Sequence, residues 1–330
     1  MGRVPHKLSH EFPRASRKRE TFELTVGTGG KRLDRFLCDR YEGYSRAFFQ
    51  NMIRGGRVLV NGKPAKPSMT VPDGARIVIH LPEPLSPGEP VDLDLQVVYE
   101  DDALFAISKP AGVVVHPARG HLAGTIYHGL KWHFRDEIAA DPDFHIAMIH
   151  RLDADTSGVL VCSKDEDVHR ELTRQLEHRE TEKFYLAVVH GDPGFGDALL
   201  DGAIGVDPAD RHRMAIDGRA ARPSRTHVRV LGRSAPLPGG ERLTAVECEL
   251  LTGRSHQLRV HLAAIGCPIT GDVLYGGRTA AADGSPLIER QALHSWRMRL
   301  DHPHTGERLT LTAPISEDIQ NLLCSGNVTI

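Results

Sequence analysis

The run His150-Arg151-Leu152-Asp153-Ala154-Asp155-Thr156-Ser157-Gly158, followed at once by Val159-Leu160-Val161-Cys162, decides how the chain is read. Polar, turn-forming residues set against an apolar run place a carboxylate on a loop at the edge of a buried strand. By itself, an aspartate in such a turn is more often an Asx-turn residue or a cap than a catalyst. Outward from this point the strand signals multiply: Gln96 to Tyr99, Leu104 to Ile107, Phe184 to Val189 and Thr244 to Leu250. Helical spacing is rarer, and is clearest from Val168 to Glu177. Strands that do not alternate with helices favour an α+β fold over a doubly wound sheet. The stretch Pro193 to Pro223, rich in Gly, Asp and Arg, is expected to be an irregular excursion over the surface.

Toward the amino terminus the pattern changes. Residues 1–20 lack hydrophobic periodicity and read as a flexible basic arm. Order is expected to begin near Phe22. Leu33, Phe36 and Leu37, then Phe48, Phe49, Met52 and Ile53, have helical spacing, with Ser45 as an N-cap and Gly55-Gly56 as the stop. Val58, Val60 and Arg76 to Ile79 read as short strands, with a hairpin-type signal at Asn61-Gly62. The expected organisation is therefore an arm over 1–20, a small α/β domain over 21–81, a proline-rich linker over 82–92 and a larger domain over 93–330. Charge follows the same division: residues 1 to 80 hold 16 Lys/Arg against 7 Asp/Glu, whereas the rest hold 25 against 36. The basic end is the natural seat for a polyanion.

Composition closes off several classes. With 330 residues and 40% hydrophobic content there is enough chain for two domains with real cores. No stretch approaches the ~18 consecutive apolar residues of a membrane span, and the first twenty residues contain no apolar signal core, so a cytoplasmic address and no membrane partner are expected. Five dispersed cysteines without a C-x-x-C pair argue against both a disulfide framework and a zinc site. The 19 histidines scatter without ligand spacing, and no metal is expected. Neither a Walker-type loop nor a dinucleotide fingerprint is present, so no nucleotide cofactor is implied.

Two resemblances extend this reading. Arg32-Leu33-Asp34, Ser45-Arg46 and the run from Ile53 to Lys63 resemble the small RNA-binding domain named after ribosomal small-subunit protein S-four. That resemblance would set Arg46, Arg54, Arg57 and Lys63 against RNA phosphates, supplying affinity rather than sequence discrimination. The run from His150 to Gly158, with Lys109 to Pro117, Lys183 to Ala187 and Leu251 to Leu262, resembles the RluA family of pseudouridine synthases. Gly271-Asp272, Tyr275-Gly276, Leu293-His294 and His302-Pro303 also fit, in the family's order. Ser255 stands where threonine is more usual, and the hydroxyl is kept.

The family resemblance implies the pseudouridine synthase fold, α+β with a mixed, largely antiparallel central sheet and flanking helices and loops, and an enzyme that isomerises uridine in RNA without a cofactor. It implies Asp153 as the essential nucleophile or base, Arg151 as a residue engaging RNA around a flipped nucleotide, and Tyr185 as the aromatic beside the target base. Arg259, and after it Arg254, would pair with Asp153. Read locally, Tyr185 could be ordinary core, and Arg259 and His261 alternate with Leu258, Val260 and Leu262 as solvent-facing residues of an edge strand would. His150 and His256 are expected to be structural hydrogen-bonders. Attack on the anomeric carbon, attack on the uracil ring and proton abstraction at the 2′ position stay open for Asp153. Rival readings are an RNA binder without activity, which Asp153, Tyr185 and Arg259 together argue against, and a glycoside hydrolase using Asp153 and Asp155, which need not converge across a sugar. An appended S-four-type domain points to large-subunit ribosomal RNA as substrate, with tRNA as the alternative, and a monomer is expected.

Overall fold

The computed structural model describes residues 21–330 apart from 42, 45, 81–88, 119–120, 142 and 238–239. The arm over 1–20, most of the linker and the Ser45 cap lie outside the described residues. The rest divides into two compact units: residues up to Leu95 together with Gly112–Asp143, and Gln96–Ala111 together with Phe144–Ile330. The division is thus not a single cut in the sequence. Gly112–Asp143 falls with the first unit because Gly43–Tyr44 pairs with His121–Ala123 and Val91 N donates to His128 O at 3.0 Å.

In the first unit, helices Leu33–Arg40 and Arg46–Arg54 accompany a four-stranded sheet in the order Thr21–Thr25, Arg76–His80, Val58–Val60, Lys63–Pro64. Asn61 and Gly62, both at positive φ, make the two-residue turn that sets Val60 opposite Lys63. The apolar residues at helical spacing, among them Leu33, Leu37, Phe49 and Ile53, bury against Val58, Ile77 and Ile79. Asp34 is fully buried beneath them, where Arg32, Arg46 and Gln50 all donate to its carboxylate.

The second unit is a ten-stranded sheet among the described residues, and nearly all of its pairing is antiparallel. Its main path runs Asp197–Asp201, Arg225–Arg233, Leu243–Leu250, Glu182–His190, Leu293–Asp301, Ser157–Ser163, Leu104–Lys109, Gln96–Glu100. The apolar runs read as buried strands are buried: Ser157–Ser163 along its whole length, and Leu104–Lys109 at every position but one. One ladder is parallel, with Ser157 opposite His294 and Gly158 opposite Ser295. Only glycine fits there, since φ is +113° and a Cβ would lie 2.1 Å from Ser295 O. Helix Glu166–His178, capped by Asp165 accepting from Val168 N, buries Val168 and Leu172 in the core that also holds Val159, Val161 and Leu300.

One expectation and one rival local reading are corrected. Pro193 to Pro223 is not irregular: it carries the edge strand Asp197–Asp201 and a three-stranded sheet of Met214–Ile216, Ile204–Val206 and Arg219–Arg222. These strands are short, and Gly205, whose Cβ would meet Arg219 O at 2.5 Å, lets them approach. Leu258 to Leu262 is not an edge strand but the heart of helix Gln257–Ala264, with Arg259 and His261 buried.

Candidate active site

Asp153 sits on the loop before Ser157–Ser163, and the loop is held from below by two buried cations. Lys109 Nζ donates to Ala154 O at 2.9 Å, and Arg290 Nη1 donates to Asp155 O at 2.9 Å. Burial pushes the Lys109 ammonium down to about 7, against the pull of Asp155. Arg290 is itself fixed by a two-pronged bond to Asp318. Thr156 N donates to Asp153 O at 3.1 Å and closes the turn. With its backbone pinned at successive carbonyls, the loop presents the Asp153 carboxylate in one direction.

Facing it is helix Gln257–Ala264. The Gln257 side chain donates to Arg225 O and accepts from Thr252 Oγ1 and Arg254 N, which ties the preceding turn to a neighbouring strand. One turn into the helix, Arg259 extends Nη1 to within 3.3 Å of Asp153 Oδ2. Its other nitrogens make a bidentate pair with buried Asp272, Nε and Nη2 each at 2.7 Å. Burial alone would lower the Arg259 pKa, but the Asp272 hydrogen bonds and charge outweigh it and the net shift is upward. The guanidinium lies 5.0 Å from the centroid of the Tyr275 ring. Its plane is therefore fixed by a carboxylate and an aromatic ring before any ligand arrives.

Tyr275 also acts on His256. Its hydroxyl accepts from Met214 N at 2.8 Å and meets His256 Nδ1 at 2.8 Å. The phenol oxygen keeps a second lone pair, so either partner can give the proton in that contact, and in both cases the bond fixes the ring's orientation and turns Nε2 toward Asp153. That nitrogen is 3.8 Å from Asp153 Oδ2. Burial lowers the His256 pKa despite the nearby Asp153, and Arg259 adds to the lowering, so the ring is held neutral.

Asp153, His256 and Arg259 line a cavity of about 280 Å³, shared with Arg151, Lys183, Tyr185 and Arg254. Tyr185 lies on the central strand Glu182–His190, where a β-bulge between Phe184 and Tyr185 shifts its register against Leu293–Asp301. Burial raises its hydroxyl to about 12, with Asp153 adding and a bond to Ser295 opposing. Arg151 is exposed where it lines the cavity. The structure therefore brings Asp153, Arg151, Tyr185, Arg254 and Arg259 to one place. Arg254, however, makes no ion pair with Asp153; its Nε is buried without a partner. His150 is structural, as expected: Nε2 accepts from Val161 N at 3.2 Å, and burial together with Lys183 pushes it down to about 3. His256, expected only to bond structurally, reaches the site. Asp272 and Tyr275 were given no role by sequence, since both sit in a loop whose partners are 13 or more residues away.

Known proteins resemble this chain in sequence and fold. The RNA pseudouridylate synthase family profile matches residues 103–264, and the S4 domain profile matches residues 31–77. An uncharacterized RNA pseudouridine synthase of Bacillus subtilis (strain 168) is 38% identical over 296 residues, covering 89% of this chain and 93% of its own. The chain belongs to the RluA family of RNA pseudouridine synthases. Ribosomal large subunit pseudouridine synthase D of Pseudomonas aeruginosa is 37% identical to this synthase over 311 residues, 91% of this chain and 93% of that one. A solved human structure, RNA Pseudouridylate Synthase Domain Containing 1, superposes with a TM-score of 0.53 at 26% identity over 71% of this chain and 86% of its own. The synthase isomerises uridine to pseudouridine in RNA. Among its described residues no helix is long and apolar enough to cross a membrane.

Proposed function

We propose that Asp153 is the carboxylate on which this isomerisation turns, and that the uridine it meets lies in large-subunit ribosomal RNA. The observation that carries the first part is the Asp153–Arg259 pair, 3.3 Å apart in a cavity that Tyr185 also lines. The reaction breaks the bond from N1 to the anomeric carbon and makes one from C5; C5 loses a proton and N1 gains one, so no electrons enter or leave. Asp153 serves as nucleophile or base, and Arg259, clamped by Asp272, fixes its orientation. A base inside a helix is out of reach and must be flipped, at a cost of a few kcal/mol. Arg151 at the exposed edge fills the gap, and Tyr185 packs beside the uracil. Arg254 contacts the substrate rather than Asp153.

In the first unit, Arg54, Arg57 and Lys63 are exposed and suited to phosphate contacts. Arg46 is reassigned: its Nε is 3.0 Å from buried Asp34, so its first duty is to hold the helix pair together. The substrate assignment is supported by the S-four-type domain and by relatives named for the ribosomal large subunit.

Asp153→Asn is expected to abolish pseudouridine formation while RNA affinity stays within a few fold, because phosphate contacts dominate binding. Retained turnover in the purified variant would remove Asp153 from its role. Mapping pseudouridines across total RNA from cells with and without the gene is expected to show a site lost from large-subunit ribosomal RNA; loss confined to tRNA overturns that substrate.

A further inference from the structure

A second cavity, about 380 Å³, adjoins the one containing Asp153, and both are lined by His150, Lys183, Leu250, Gly253 and Arg254. Its wall continues past Thr181 to Arg179, the left-handed residue that ends helix Glu166–His178. The charged groups along it are Arg179, Lys183 and Arg254 against Glu177 alone. Among the described residues no carboxylate lies within ion-pair distance of those three cations, and no hydrogen bond engages Lys183 Nζ. Arg254 Nε is buried without a partner. Gly253 leaves the space before Lys183 open, since even an added Cβ there would lie 3.8 Å from Nζ.

Partly desolvated cations without counter-ions are costly in a folded protein, and most structural lysines and arginines avoid the state by pairing. Elsewhere in this unit the buried arginines Arg259 and Arg290 are paired, with Asp272 and Asp318. We propose that the second cavity is a phosphodiester subsite, in which Lys183 and Arg254, with Arg179 at the edge, take a backbone phosphate beside the flipped uridine. The proposal rests on the reading that the Asp153 cavity receives that uridine. The shared lining sets the spacing, because Lys183 and Arg254 border both spaces and a nucleotide in one brings its own phosphate to the other. Burial lowers the Lys183 pKa in the free protein, and a bound phosphate would reverse that shift.

Binding of a fifteen-residue oligouridylate, measured as a function of salt on the full chain, tests the subsite. Lys183→Met and Arg254→Gln are each expected to weaken binding roughly tenfold and to reduce the log–log salt slope by about 0.7, the value for one single-strand phosphate contact. Lys183→Arg should keep most of both. Lys183→Met should also melt at or above the parent temperature, because it removes a charge that lacks a partner. Replacing single phosphates in the oligomer with neutral methylphosphonates should cost the parent affinity at a linkage where Lys183→Met no longer pays it. An unchanged salt slope in Lys183→Met, or a lower melting temperature with full binding, overturns the proposal. Asp153→Asn is carried in parallel: activity there would sink the catalytic assignment and leave the salt-slope result to judge the subsite.

Discussion

The two walls of the active-site cavity are built on opposite electrostatic plans. On the Arg259 wall every charge is answered inside the protein: Asp272 grips the guanidinium, Tyr275 lies against it, and His256 is turned by a phenol that is itself held by Met214 N. On the Lys183 wall the cations have no protein partner among the described residues. On the proposed reading the difference separates two tasks. Groups that stabilise a transition state work best when fixed in advance, whereas groups that hold a polyanion can be left for the polyanion to complete.

Mutations can break this contrast in a definite order. The largest effect is expected from Asp272→Asn, which leaves Arg259 buried with half its pairing gone; a loss of about 3–5 kcal/mol of stability, read by urea unfolding, is the typical cost of breaking such a pair. Together with the neutral or stabilising outcome at Lys183→Met it would give the two walls opposite signs, and a mild Asp272→Asn would erase the distinction. Next comes Tyr275→Phe, which keeps the ring under Arg259 but removes the hydroxyl that holds the His256 ring in its orientation. It is expected to cost about 1–2 kcal/mol and to lower kcat more than it raises KM for RNA; an unchanged kcat would show that the orientation of His256 is idle.

The smallest effect concerns pH. His294 is fully buried, bonded to Ser157 Oγ, and pushed down to about 4 mainly by burial. Its folded-state pKa is below the unfolded value, so the unfolded chain takes up the proton first. Stability is therefore intact above pH ~6.5 and drains as pH falls toward 4, by about 1 kcal/mol at pH 5.5 for one such group. Urea midpoints at pH 7 and 5.5 should differ less in His294→Gln than in the parent, and an equal difference would remove His294 as the cause.

Much of this was legible in the sequence because buried strands announce themselves: Val159-Leu160-Val161-Cys162 and Phe184 to Val189 have few other ways to be buried. Helix Gln257–Ala264 was hidden for the converse reason. Gln257 to Leu262 are all buried, so the apolar stripe that marks a surface helix is absent, and Leu258, Val260 and Leu262 mimic the two-residue period of a strand. The small sheet after Asp197 escaped because its strands are only three or four residues long, too short for a period to show, and the last of them, Arg219–Arg222, has an arginine at each end. At the site, Asp153, Tyr185 and Arg259 were found through the motifs that carry them. Asp272 was not, because what makes it matter is a contact with an arginine in another element.

The parallel ladder joining Ser157 and Gly158 to His294 and Ser295 has a consequence in time. Ser157 and His294 are 137 residues apart. A ribosome adding about 5–20 residues per second needs roughly 7 to 27 s to travel that far. Throughout that interval the nascent chain has its aspartate but lacks the strand that closes one side of it and the arginine, Arg290, that steadies its loop. With Asp153 in its proposed role, competence waits for strand Leu293–Asp301, and a product that stops short of Leu293 is expected to be inert toward the RNA around it.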